Sequence, residues 1–151
     1  MAQPDMTQKE YWKSIKPIVR RIESEQGIII IDDFIIHKPH STMNDIVNYH
    51  FDHTSGVNVK GIDVVSFLYN AQEIDVQLPI AFELVSKPNK YKDPETGKEK
   101  RRSEISKNEI LRDRLAFLTQ RNQVKYKYVA FDIWFSSNEN FKMIHHDLKK
   151  C

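Results

Sequence analysis

The chain has 151 residues, 40% hydrophobic and 29% charged, with a formal net charge of +2; this allows one domain with a real core and excludes long disordered tracts. A charge so near neutral excludes a global field strong enough, by itself, to mark a nucleic-acid binder. One cysteine, Cys151, excludes an internal disulfide, no apolar run reaches the roughly 18–20 residues of a membrane-crossing helix, and MAQPDMTQKEYW has no apolar signal core, so a cytoplasmic protein is predicted.

Within residues 8–24, Trp12, Ile15, Ile18, Val19 and Ile22 follow helical spacing, which predicts a short helix bent at Pro17 and punctuated by Gly27. Ile28 to Ile36 follows, four consecutive isoleucines leading into Asp32 and Asp33. Such a β-branched run reads as a strand buried on both faces. Two aspartates inside it need compensation, because an ionised carboxylate among apolar groups is costly unless it is paired or bound to a metal. Successive side chains point to opposite faces, so at least one of the two must face its compensating partner.

Residues 37–45 read as a polar loop, 47–51 as a short strand and 53–58 as a turn. Residues 59–70 and 76–85 read as two further strands joined across 71–75, with Pro79 suited to an edge or a strand start. Residues 86–102 contain two prolines, a glycine and no aliphatic residue, which predicts a loop. Seven basic side chains there oppose three acidic ones, a larger excess than the whole chain carries.

A helix is expected over 104–121, opened by Ser106 and Glu109 at capping-box spacing and carrying a stripe of Leu111, Leu115 and Leu118 beside Ile110 and Phe117. Tyr126 to Phe131 reads as a strand that ends on Asp132. Ser136 and Glu139 have the spacing of a second capping box for a last helix running to about Lys149. Phe141, Ile144 and Leu148 would lie on one face of that helix, with Trp134 and Phe135 beneath it. Four strands, a helix, a strand and a helix predict an α/β fold with a mixed sheet covered by helices.

Two places carry chemistry: the Asp32–Asp33 pair, and Asp132 at a strand end before a helix. Open α/β sheets gather active residues at the carboxyl ends of strands. If the first and last strands are neighbours, these carboxylates converge and repel, and Mg²⁺ or Mn²⁺ relieves the repulsion through oxygen ligands, waters and substrate phosphate. That is the layout of two-metal phosphoryl transfer. The plainer readings are a solvated strand end for the aspartate pair and a helix N-cap for Asp132.

The blocks GIIIIDDFIIHKP, YHFDHTSGVNVKGI, PIAFELVSKP, KRRSEISKNEILRD and YVAFDIWFSSNENFKMIHHDLKK occur in order from about residue 10 onward. Together they resemble the DDE transposases of the insertion-sequence-four-like group. The resemblance implies an N-terminal helical segment, 1–26, followed by a partial ribonuclease H-like catalytic domain, 27–151, incomplete at its C-terminus. The first carboxylate of that family would fall on Asp32 or Asp33. Asp32 is favoured because the family has a small or acidic residue and then a threonine after it, although Phe34 stands where the threonine would be. The second would be Asp132. The third, a glutamate in a block with tyrosine, arginine and lysine, does not occur before Cys151. The resemblance therefore implies a truncated transposase, inactive alone, that binds Mg²⁺ or Mn²⁺ weakly through Asp32 or Asp33 and Asp132. Its partners would be the DNA ends of an insertion sequence and intact transposase or a second copy of the chain, in the bacterial cytoplasm at the nucleoid, with no membrane involved.

The basic stretch 86–102 has two readings, a solvated surface loop or a DNA contact. In the second, Lys98, Lys100, Arg101 and Arg102 would bind phosphates and release counterions, and Tyr91 would offer a stacking face. Two other functions stay open: an inactive DNA-binding or interfering fragment, and a histidine-based metal hydrolase using His37-x-x-His40, His50-x-x-His53 and Asp52.

Overall fold

The computed structural model describes residues 7–151; residues 1–6 of the N-terminal segment lie outside the described residues. Helix α1 (Gln8–Ile22) opens with a capping box in which Thr7 and Glu10 exchange side-chain-to-backbone bonds, and it contains Pro17. Ile15 and Val19, on its inner face, belong to the same buried core as the strands. A helix thus covers one face of the sheet before the sheet itself begins.

The isoleucine run forms β1 (Ile28–His37), followed by β2 (Val47–Asp52), the long β3 (Val57–Ala71) and β4 (Val76–Leu84). One edge of β3 pairs antiparallel with β1. The other edge pairs with β2 at its start and β4 further along. After helix α2 (Lys107–Gln120), strand β7 (Tyr128–Phe131) returns parallel to β1 on its free side. Cys151 then donates to the Lys127 carbonyl at 2.9 Å and accepts from the Val129 amide at 2.8 Å, the bonding of a parallel rung on the outer side of β7. The fold is α/β, a mixed sheet with flanking helices. No described helix is long and apolar enough to cross a membrane.

Alternation sorts β1, which is buried on one face and not, as expected, on both. Ile29 and Ile31 are buried against the helices with Val65, Phe67 and Tyr69 of β3 and Leu111, Leu115 and Leu118 of α2. On the opposite face Phe34 and Ile36 are exposed. An isoleucine run would tolerate a one-residue slip, which would carry Asp32 into the place of Asp33 and Ile31 into that of Asp32. Two glycines oppose the slip. A Cβ at position 27 would stand 1.9 Å from the Tyr69 hydroxyl, and one at position 61 would stand 2.3 Å from the Ile36 carbonyl. No other residue fits either place without movement, so the two close approaches fix which aspartate faces which way.

Several expectations need correction. The predicted loop 86–102 contains a two-stranded hairpin, β5 (Asn89–Lys92) and β6 (Glu99–Arg102), turned at Gly97 with φ +67°. Its strands alternate only polar side chains, so no apolar period announced them. The last helix is capped by Ser137, whose hydroxyl accepts from the Asn140 amide, and not by Ser136. It is a short α3 (Asn138–Lys142) continued by one π-helical turn, Met143–Asp147, and so ends close to the expected place. Ile144 and Leu148 are buried, but Phe141 is exposed. Phe135 is buried as expected, whereas Trp134 is 55% exposed and does not lie under the helix.

Candidate functional site

The parallel ladder between β1 and β7 runs from Ile28–Tyr128 to Ile31–Phe131. Asp32 and Asp132 are the next residues on each strand. Beyond Phe131 the β7 side of β1 is bare, and a cleft of about 400 Å³ opens along it, lined by Asp32, Asp132, Asp52, His37, His53 and Trp134 among others. A larger hollow of about 600 Å³ between α1, β4 and α2 is mainly apolar and lies away from these carboxylates.

Each cleft aspartate has one oxygen committed locally. Asp32 Oδ1 accepts the Asp33 amide at 2.8 Å. Asp132 Oδ1 accepts the Ile133 amide, capping the 3-10 turn Ile133–Phe135. Asp132 therefore caps a 3-10 turn and not the last helix, which Ser137 caps, and its Oδ2 accepts no hydrogen bond from the described residues. Among the described residues neither carboxylate forms an ion pair with a basic side chain. Two carboxylates that line one cleft without a basic partner are an oxygen donor set that suits a hard divalent cation completed by water or phosphate oxygens.

The β2–β3 turn forms the far wall. His53 stacks on Trp134 with ring centroids 3.9 Å apart and planes 18° from parallel, and Phe51 meets His53 edge-on. Asp52 accepts from the Ser55 hydroxyl at 2.6 Å and the Thr54 amide at 3.0 Å. Those two bonds, with the nearby His37, hold its carboxyl below the usual carboxylate range.

Asp33 sits at the edge of the cleft, but its carboxylate is bound by Lys107. The same ammonium lies 2.7 Å from Asp63 Oδ2, and His50 Nδ1 is 3.4 Å from that oxygen. Asp63 and His50 are each 2% exposed. Burial works against the charge of Asp63, yet the bonds from His50 and Lys107 and the Lys107 charge hold its pKa below the ordinary value. Burial likewise opposes the Lys107 charge, and the two carboxylates more than offset it, raising its pKa. Lys87, close by, is lowered by burial and by the Lys107 charge, against the pull of Asp63.

The paired-histidine pattern does not assemble. His50 is buried beside Asp63 while His53 lies in the cleft on Trp134. Among the described residues no three His, Cys, Asp or Glu side chains come together as a metal-holding group.

On the hairpin, the four cations expected to meet DNA are in different states. Lys100 pairs with Asp93, whose carboxyl is held down to about 2 by that bond and by the Glu95 and Thr96 amides. Arg101 pairs with Asp45 at 2.6 Å, and Arg102 lies 5.7 Å from the Tyr91 ring centre. Lys98 is exposed and forms no ion pair among the described residues. Two of the four are thus occupied internally.

Sequence reasoning missed Asp63 and Lys107. Asp63 had a signal, a charge inside the otherwise apolar strand GIDVVSFL, the same kind of signal that singled out Asp32 and Asp33. Lys107 had none, because its partner Asp33 lies 74 positions away in sequence. No family model, curated protein or solved structure matches the chain.

Proposed function

We propose that the chain is the ribonuclease H-like catalytic core of an insertion-sequence DNA transposase, in which Asp32 and Asp132 hold a divalent cation against a DNA phosphate. Strand order supports the fold half of this reading: β1, β3 and β4 lie side by side and antiparallel, and after a helix a strand returns parallel to β1. The observation that carries the site is the rung Ile31–Phe131, which makes Asp32 and Asp132 the next pair on neighbouring strands, facing one cleft.

In this reading Asp32 and Asp132 each offer the oxygen not spent on a backbone amide, and Asp33 is withheld by Lys107. Mg²⁺ or Mn²⁺, when bound, supplies Lewis-acid polarisation of the phosphate and activation of an attacking oxygen. The side chains do the rest. Gly27 and Gly61 keep the strand in register, Trp134 and His53 wall the cleft, and Lys98 and Arg102 on the hairpin attract the DNA backbone.

The test is DNA affinity with and without Ca²⁺, which occupies oxygen sites without supporting turnover at most such centres. Bare carboxylates repel phosphate, so Ca²⁺ should tighten duplex binding by the chain and have no such effect on Asp132→Asn. Equal affinity with and without the ion, or an equal gain in the variant, would remove the proposal.

A further inference from the structure

Behind Asp32, on the helix-covered face, lies a second pair of carboxylates. Asp33 of β1 and Asp63 of β3 both direct Oδ2 at one point, the Lys107 Nζ. Two features mark that point as more than a surface ion pair. Lys107 is the first residue of α2, following the N-cap Ser106, where the helix dipole disfavours a positive charge; the two carboxylates are what offset this. Further, the side chains beside it keep unused donor capacity: Asp63 Oδ1 and His50 Nε2, the atoms of each group not turned to the ammonium, have no hydrogen-bond partner, on side chains each 2% exposed. Buried polar atoms without partners are rare, and a water or an ion is one of the partners that accounts for them. The donors present around the ammonium, two carboxylates with an imidazole beside one of them, are those that bind divalent cations.

We propose that Asp33 and Asp63 form a second cation site, that Lys107 is its built-in occupant, and that removing the ammonium converts it into a divalent-metal site. The chain then carries two carboxylate pairs, one on each face of β1. Lys107 closes the inner one, so divalent ions are left to the outer one; that last consequence rests on the proposed function, whereas the inner site does not.

The experiment uses the full chain as Lys107→Met combined with Asp32→Asn, which disables the outer site, with Mn²⁺ as probe followed by paramagnetic resonance and thermal unfolding. The expected result is one bound Mn²⁺ per chain, absent from Asp32→Asn alone and lost again when Asp63→Asn is added. Should Lys107→Met unfold without metal, Mn²⁺ should refold it, since an ion bound only to the native state stabilises by mass action. A folded double variant that binds no Mn²⁺, or an unfolded one that millimolar Mn²⁺ does not restore, overturns the proposal. Failure of the outer-site reading would appear separately, as wild-type Mn²⁺ binding indifferent to Asp32→Asn.

Discussion

Asp32 and Asp132 are adjacent across two parallel strands, one residue past the Ile31–Phe131 rung, although 100 positions separate them in sequence. Their neighbour Asp33 is directed to the other side of the same strand and bound there by Lys107. The two adjacent aspartates of the sequence therefore have unlike environments, one facing a cleft without an ion-paired basic side chain and one bound to a half-buried ammonium.

The inner pair makes a stability prediction. Lys107→Met leaves Asp33 and Asp63 without their cation and should cost about 3 kcal/mol, as expected for breaking a buried ion pair from one side. Asp33→Asn keeps a hydrogen-bonding group and should cost about 1 kcal/mol. Urea unfolding at pH 7 measures both.

The same cluster sets a pH dependence. Asp63 has a lowered pKa when folded, so its stabilisation is present above the unfolded value and disappears as pH falls through the folded one, below about pH 4. Lys107 has a raised pKa, so its contribution is present below its unfolded value and is lost only on the alkaline side, above about pH 10. Wild type should lose stability between pH 5 and pH 3 more steeply than Lys107→Met, in which the pKa of Asp63 is no longer depressed by the ammonium.

The stacked pair His53–Trp134 should hold the β2–β3 turn against the turn after β7. Trp134→Ala should destabilise by about 1 kcal/mol, the scale of an aromatic pair beyond simple burial. Its clearer effect should be local, with faster amide exchange at His53 to Gly56 and little change in β1 or α2. Unchanged exchange in the turn would show that the stack does not hold it.

Hairpin cations should bind DNA without reading sequence. Affinity should fall steeply with salt, and Lys98→Ala with Arg102→Ala should lower it for every duplex alike. Lys100→Ala and Arg101→Ala should matter less, because Asp93 and Asp45 already occupy those side chains. Filter binding across salt concentrations compares the two pairs; equal losses would mean that the internal ion pairs open on DNA.

Much of the fold is legible where side chains follow a period. The isoleucine run, the leucine stripe of α2 and the Ser106–Glu109 capping box all appear where the pattern puts them. Hairpin β5–β6 is not legible, because its strands carry no apolar face, and Ser137 displaces Ser136 as cap by one position, a choice that spacing alone does not resolve. In the cleft, Asp32 and Asp33 are legible as charges inside an apolar strand and Asp132 as a carboxylate at a strand end. Which of Asp32 and Asp33 is ion-paired is not legible from spacing, because it depends on Lys107 arriving from a distant helix.

The most direct measurement of the central claim is Mn²⁺ binding by the purified chain, followed by paramagnetic resonance for wild type and for single Asp→Asn variants. Asp32→Asn and Asp132→Asn should each weaken binding about tenfold or more, ~1.4 kcal/mol. Asp33→Asn should leave it nearly unchanged. Binding that survives Asp132→Asn, or that disappears in Asp33→Asn alone, would contradict the assignment of the cleft pair as the cation site.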